Sequence, residues 1–204
     1  SEFSSIIGLI KRAQGLMGTI FTVSGVCCLF RKDVMEEIGG WSTNMITEDI
    51  DISWKIQIAG YNIMYEPRAL CWVLMPESMK GLYKQRLRWA QGGAETIIKY
   101  FPKIWHWKNR RLWPMYIEYF VTAIWAVLWV LFAIFTLGQK FIFGIDIQNI
   151  RLFETNISIM FFAFFLQCIL SLYIDSRYER DLLRYGLSCI WYPYVYWLLN
   201  TVTL

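Results

Sequence analysis

The chain has 204 residues, enough for one modest domain, but 56% of them are hydrophobic and only 18% charged, which is high and low respectively for a water-soluble one. Net charge is +4, yet Lys80–Arg111 carries +8, nine basic residues against the single acid Glu95; the hydrophobic spans that follow at once argue against nucleic-acid binding. The five cysteines show no C-x-x-C spacing and His106 is the only histidine, which excludes a visible zinc constellation and makes a carboxylate the expected general base.

In chain order, Ile6, Ile7, Leu9, Ile10, Ala13 and Leu16 recur at the spacing of an amphipathic helix. The stretch TIFTVSGVCCLF, 19–30, is rich in β-formers and broken by Ser24-Gly25, which predicts a strand with a tight bend or a close backbone approach. KDVMEEIGG, 32–40, reads as a short helix stopped by glycine. From Glu48 to Ala59, Ile50, Trp54 and Ile58 recur every four residues, and Gly60 stands where a C-cap glycine belongs. Tyr61, Ile63 and Tyr65 alternate like a strand ended by Pro67, and ALCWVLM, 69–75, predicts a buried strand ended by Pro76. A long helix is expected from about Ser78, interrupted or loosened at Gly92-Gly93. Residues 1–111 thus read as a water-facing α/β unit.

Residues 112–204 read as an α-helical transmembrane region with about three helices, at 113–138, 155–174 and 187–204. A bilayer core takes about 20 residues, and the third span is near the minimum. The 11 Trp, 12 Tyr and 14 Phe fit the aromatic belts of a membrane protein, and equally a sugar-binding surface. Nine Lys/Arg precede the first span, against Lys140 and Arg151 in the next loop, which places the first part in the cytoplasm. Arg177, Arg180 and Arg184 return the loop 175–184 to that side. Glu118 and Gln167 fall inside spans, where a polar group belongs at the bundle interior, a polar path or the interface.

Two stretches carry candidate chemistry. In TEDID, Thr47 is a favoured N-cap residue, and Glu48, Asp49 and Asp51 suit the positive end of a helix. That pattern opens many helices without catalysing anything, and on these residues alone any of the three acids could act as a base. In KQRLRWAQGG, Gln85, Arg88 and Trp89 share one helical face. They suit either an interfacial helix facing lipid phosphates or a site holding a diphosphate, with a sugar ring on the indole.

Thr47–Asp49 and Gln85–Trp89 together resemble the T-E-D and Q-x-x-R-W signatures of processive family-2 glycosyltransferases, the cellulose, chitin and hyaluronan synthases. The wider wording, VSGVCCLF, TEDIDISWK, YEPRALCWVLMPE and KQRLRWAQGGAE, is similar to the branch of bacterial poly-β-1,6-N-acetylglucosamine synthases. The resemblance is dense from about Phe21 to Trp113 and looser beyond. It implies the C-terminal half of a cytoplasmic GT-A-like α/β catalytic domain at 1–111, followed by the membrane region, in a multi-pass protein of the bacterial inner membrane. It also implies inverting transfer from UDP-N-acetylglucosamine to a growing exopolysaccharide of the biofilm matrix, with Asp49 as base. Trp89 would be the acceptor platform. Gln85 and Arg88, with Arg86, would hold the diphosphate, while Glu48, Ser24 and Gly25 would border the substrate.

The expected partners are the UDP-sugar, the polysaccharide acceptor, the bilayer and a small membrane partner subunit of the kind relatives use. A divalent metal, Mg or Mn, is expected from the family, with ligands outside this chain: no D-x-D with a preceding βαβ pattern occurs, and Asp49-Ile50-Asp51 belongs to the T-E-D context. The chain is therefore expected to be part of a longer synthase, inactive by itself. Two alternatives stand beside this reading: a cellulose, chitin or hyaluronan product, and a non-catalytic membrane module using the acids as a cap and the basic helix as an anchor.

Overall fold

The computed structural model describes residues 8–71, 73–74, 76–144, 148–178 and 203. Its helices are α1 (Lys11–Leu16), α2 (Lys32–Glu37), α3 (Glu48–Ala59), α4 (Met79–Ile104), a 3-10 helix (Trp107–Leu112), α5 (Trp113–Phe143) and α6 (Gln148–Asp175). Of the described residues, those from Ile10 to Phe120, with Thr203, form one compact unit, and those from Val121 to Tyr178, with Gly8 and Leu9, form another.

The first unit is organised around α3. Ile50 and Trp54 face a core with Ile97, Tyr100 and Ile104 of α4 and Leu112, Met115 and Tyr116 beyond it, while Ile58 packs at its border. The opposite flank of α3, Ile52 and Ile56, packs with Val34 of α2. Two flanks are used because the apolar residues of α3 fall on both sides of the helix, with Asp51, Ser53 and Gln57 buried as well, so the helix is enclosed rather than laid on a surface. Gly60 ends it in the left-handed conformation, φ +106°, as its position predicts. Arg111 then donates to the Gln57 and Tyr61 carbonyls at 3.0 and 2.8 Å, satisfying the C-terminal end of α3.

No strand ladder occurs among the described residues, so the expected strands need a correction in kind. The segment 20–23 joins no ladder, and α3 side chains satisfy its backbone instead. Gln57 accepts from the Ile20 N–H and donates to the Ile20 carbonyl at 3.0 and 2.8 Å. Trp54 donates to the Phe21 carbonyl, and Ser53 accepts from the Val23 N–H. Tyr61, Ile63 and Tyr65 keep the alternation of a strand, half-buried by turns, but form no ladder among the described residues. In the run 69–75 the described side chains point outward, Leu70 and Leu74 being 58% and 87% exposed, so a buried strand is not what forms there; Trp72 and Met75 lie outside the described residues.

Two further expectations change. The N-terminal helix begins at Lys11, and its face is reversed: Leu16 is 91% exposed while Lys11 is buried. Ile6 and Ile7 lie outside the described residues. Ser78 caps α4, accepting from the Gly81 N–H, and the helix runs through Gly92-Gly93 without a break. A Cβ at Gly92 would lie 1.9 Å from Thr47 Oγ1, so this glycine is an approach point for α3, not a loosening.

The stretch Trp107–Gln139 is long and apolar enough to cross a membrane by length and composition, and the span expected at 113–138 falls within it. The span expected at 155–174 falls within α6, whose apolar portion, Phe161–Asp175, is shorter than a crossing helix among the described residues. The span at 187–204 lies outside the described residues except for Thr203. Glu118 is exposed and Gln167 half-buried.

Candidate active site

The three acids of the TEDID stretch receive three different environments. Glu48 is exposed. Asp51 is fully buried, accepting from Lys99 Nζ at 2.7 Å and from the Tyr100 hydroxyl at 3.0 Å. It fastens α3 to α4, and burial with the Asp51 charge drives the Tyr100 hydroxyl well above its ordinary pKa. Asp49 is half-buried, and its Oδ1 accepts from the Ile50 N–H at 2.9 Å.

A face of α3 places the Ser24-Gly25 turn against Asp49. Asp49, Ser53 and Gln57 follow one another at four-residue spacing and so line one side of the helix. Gln57 and Ser53 hold the strip 20–23, and Ser53 also donates to the Asp49 carbonyl at 2.6 Å. The chain then turns at Ser24, whose carbonyl accepts from the Cys27 N–H. A Cβ added at Gly25 would lie 3.7 Å from Asp49 Oδ2, an ordinary contact distance. Glycine is therefore not required there for space, but it leaves that side of the carboxylate uncovered.

Burial raises the pKa of Asp49 above the ordinary aspartate value; the Ile50 N–H opposes this, Glu48 adds to it, and the Lys11 ammonium opposes it again. Lys11 is 7% exposed, and burial lowers its own pKa against the pull of Asp49 and Cys28. The Cys28 thiol is pushed up by burial first, then by Cys27 and Asp49. Lys11 and Cys28 thus share the surroundings of Asp49, and neither was legible as a site residue. Lys11 sits in a helix read from its apolar residues, so its charge carried no signal of direction.

Thr47 is the N-cap of α3 by position, but its side chain makes no capping bond. Its hydroxyl is buried without a partner and packs on Gly92. Gly92 lies three residues, just under one helical turn, beyond Trp89, and Thr47 lies two residues before Asp49. The contact between the two motifs is therefore helix against helix. At the other motif, Arg86 is buried, with its guanidinium carbon 4.4 Å from the Trp89 ring centroid, a cation–π contact covering one indole face. Gln85 Oε1 is buried without a partner, and Arg88 is exposed.

The residues present do not form a metal site. Asp49 and Asp51 have D-x-D spacing, but neighbours two apart on a helix diverge, one toward Gly25 and the other onto Lys99. Among the described residues, no three His, Cys, Asp or Glu side chains converge.

Comparison with known proteins agrees with the resemblance carried by the two motifs. The family model described as "Glycosyl transferase family group 2" matches residues 1–203. A poly-beta-1,6-N-acetyl-D-glucosamine synthase of Staphylococcus epidermidis is 40% identical over 206 residues, covering 98% of this chain and 49% of the relative. A protein of the same name from Staphylococcus aureus (strain COL) is 41% identical over 205 residues, with the same coverage. The chain thus spans about half the length of the curated relatives it matches. No solved structure matches it. With both signatures in place and the family match running over nearly its whole length, the chain belongs to glycosyl transferase family group 2.

Proposed function

We propose that the chain contributes the acceptor-side chemistry of an inverting, processive glycosyltransferase that polymerises N-acetylglucosamine from UDP-N-acetylglucosamine into a β-1,6-linked exopolysaccharide of the biofilm matrix. Family membership implies a GT-A-like fold, and the relatives named as synthases of this polymer support the choice of sugar. In this reading the protein is a multi-pass protein of the bacterial inner membrane with residues 10–106 in the cytoplasm, and the polymer leaves along its membrane helices.

The acceptor hydroxyl attacks the anomeric carbon of the donor; the new glycosidic bond forms as the bond to UDP breaks, and the hydroxyl proton passes to Asp49. The observation that carries this is the Asp49 carboxylate itself, half-buried at a helix start beside Gly25, with its proton affinity raised. A base whose pKa is lifted toward the working pH takes a proton more readily. The other two acids are worse placed: Glu48 is exposed and Asp51 is committed to Lys99 and Tyr100.

Trp89 supports the acceptor sugar, its orientation fixed by Arg86 beneath it. Gln85 and Arg88 hold the diphosphate as charge develops on the leaving group. Glu48, Ser24 and Gly25 border the acceptor.

The test is UDP release from membranes carrying the full natural reading frame, supplied with UDP-N-acetylglucosamine or UDP-glucose, beside Asp49→Asn at equal abundance. Release that needs the N-acetylglucosamine donor and collapses in the variant supports the proposal. A variant that turns over like the wild type makes the acids a helix start and ends the mechanism.

A further inference from the structure

At the far end of α3 from Asp49, an open recess of about 600 Å³ lies between α2, the last turns of α3 and α4, and the 3-10 helix. Its charge is one-sided. Lys55, Lys99, Lys103, Lys108 and His106 line it, against the single acid Glu37. Some of this charge is already engaged: Lys99 is held by Asp51 and Ser42, and Lys55 donates to the Gly40 carbonyl. Four ammonium groups against the carboxylates of Glu37 and Asp51 still leave an excess of +2. Lys103 and Lys108 supply it, with no acidic partner among the described residues.

Lysines near helix C-termini often serve only the exposed carbonyls and the negative end of the dipole. Here other residues already do that. Arg111 holds the Gln57 and Tyr61 carbonyls, Asn109 the Lys103 carbonyl, and the Trp113 indole the Ile104 carbonyl, the last two at 2.7 Å. The lysines are left facing the recess.

The rim of the recess coincides with the start of the apolar stretch Trp107–Gln139. Trp105 and Trp107, flanking His106, are 49% and 70% exposed, as tryptophans at a head-group boundary would be. A basic hollow at that depth on the positively charged side of a span suits a phosphate of the leaflet. We propose that this recess binds the phosphate of an anionic lipid head group in the cytoplasmic leaflet, with Lys103 and Lys108 as its principal contacts. The site is separate from the transferase chemistry, since Asp49 lies at the other end of α3.

The full chain, purified in a neutral detergent, is titrated with dioctanoyl-phosphatidylglycerol, dioctanoyl-phosphatidylcholine or inorganic phosphate, and its Tm is followed. Phosphatidylglycerol is expected to raise Tm saturably, and the other two to leave it unchanged at the same concentration. Each lysine near an anionic surface contributes about fivefold in affinity, so Lys103→Gln with Lys108→Gln weakens the titration about 30-fold. A control pair with the same loss of charge, Lys32→Gln with Lys80→Gln, leaves it within about twofold of wild type. An equal shift with inorganic phosphate assigns the recess to a soluble phosphate-bearing ligand and overturns the lipid. The lipid site is equally overturned if phosphatidylglycerol gives no shift, if the Lys103/Lys108 pair retains it, or if both pairs lose it alike.

Discussion

At Asp49 the helix N-terminus favours the charged carboxylate and burial favours the protonated one, and burial prevails. The unfolded chain has the ordinary aspartate value of 3.8 and the folded chain a higher one, so folding takes up a proton between them. That contribution to stability is full below pH 3.8 and is lost as pH rises through the folded value. At neutral pH the ionised group is therefore a burden on the fold. Asp49→Asn keeps an oxygen to accept the Ile50 N–H and removes the charge. It is expected to raise Tm at neutral pH and to flatten the pH dependence just above the unfolded value, as thermal melts across that range would show. The same change is expected to lower UDP release about 10²–10⁴-fold. A variant that is both less stable and inactive would make Asp49 structural instead. Lys11 gives a second prediction at this scale: Lys11→Met removes the cation that opposes protonation of Asp49, so the acidic limb of the pH–rate profile moves to higher pH, while Lys11→Arg holds it in place. An unmoved limb in Lys11→Met would separate the two groups. Spacing alone left three acids open, because what distinguishes them comes from Gly25, Lys99 and Tyr100, far away in sequence.

Between elements, the Thr47–Gly92 contact sets how closely α3 and α4 approach, and so how the two signature motifs meet. In an exposed helix interior, Gly→Ala gains up to about 1 kcal/mol. At Gly92 the sign reverses, because the new Cβ would overlap the Thr47 side chain from Oγ1 at 1.9 Å to Cβ at 2.6 Å. Overpacking of that kind costs about 1–3 kcal/mol. Gly93→Ala would meet only Tyr119 at 3.5 Å and Phe21 at 3.9 Å, so it is expected to be neutral or stabilising. Chemical denaturation of the two neighbours should therefore move in opposite directions. Thr47→Gly is expected to recover part of the Gly92→Ala loss, since it removes the whole overlapping side chain. Equal effects at 92 and 93 would deny the contact this role. The helices themselves were readable: Gly60 and Ser78 mark their ends by local chemistry, and Ile50 and Trp54 by period. The composition of 19–30 predicts a strand, whereas the side chains that satisfy the strip 20–23, Gln57, Trp54 and Ser53, lie about 30 residues or more away and leave no local signal. Composition does not say whether another strand or a helix supplies the backbone's partners.

For the whole molecule, the uneven charge becomes a statement about sides of a membrane. Nine Lys/Arg lie in 80–111, up to and into the apolar stretch Trp107–Gln139, whereas the segment after it carries few. Under the topology proposed above, the positive-inside bias would place the part bearing Asp49 in the cytoplasm, where nucleotide sugars are made. The cysteines make this measurable, since Cys27 and Cys71 are exposed while Cys168 is buried. In intact cells a membrane-impermeant maleimide is expected to leave Cys27 and Cys71 unlabelled, and to label both once the membrane is opened. Phe141, 84% exposed just past the apolar stretch, supplies the opposite marker. In a background without the other cysteines, Phe141→Cys should react in intact cells. Labelling of Cys71 from outside would turn the topology over and place Asp49 away from its donor. Labelling of neither Cys71 nor Phe141→Cys until lysis would mean that Trp107–Gln139 does not cross, and the charge asymmetry would then describe a helix lying on the cytoplasmic surface.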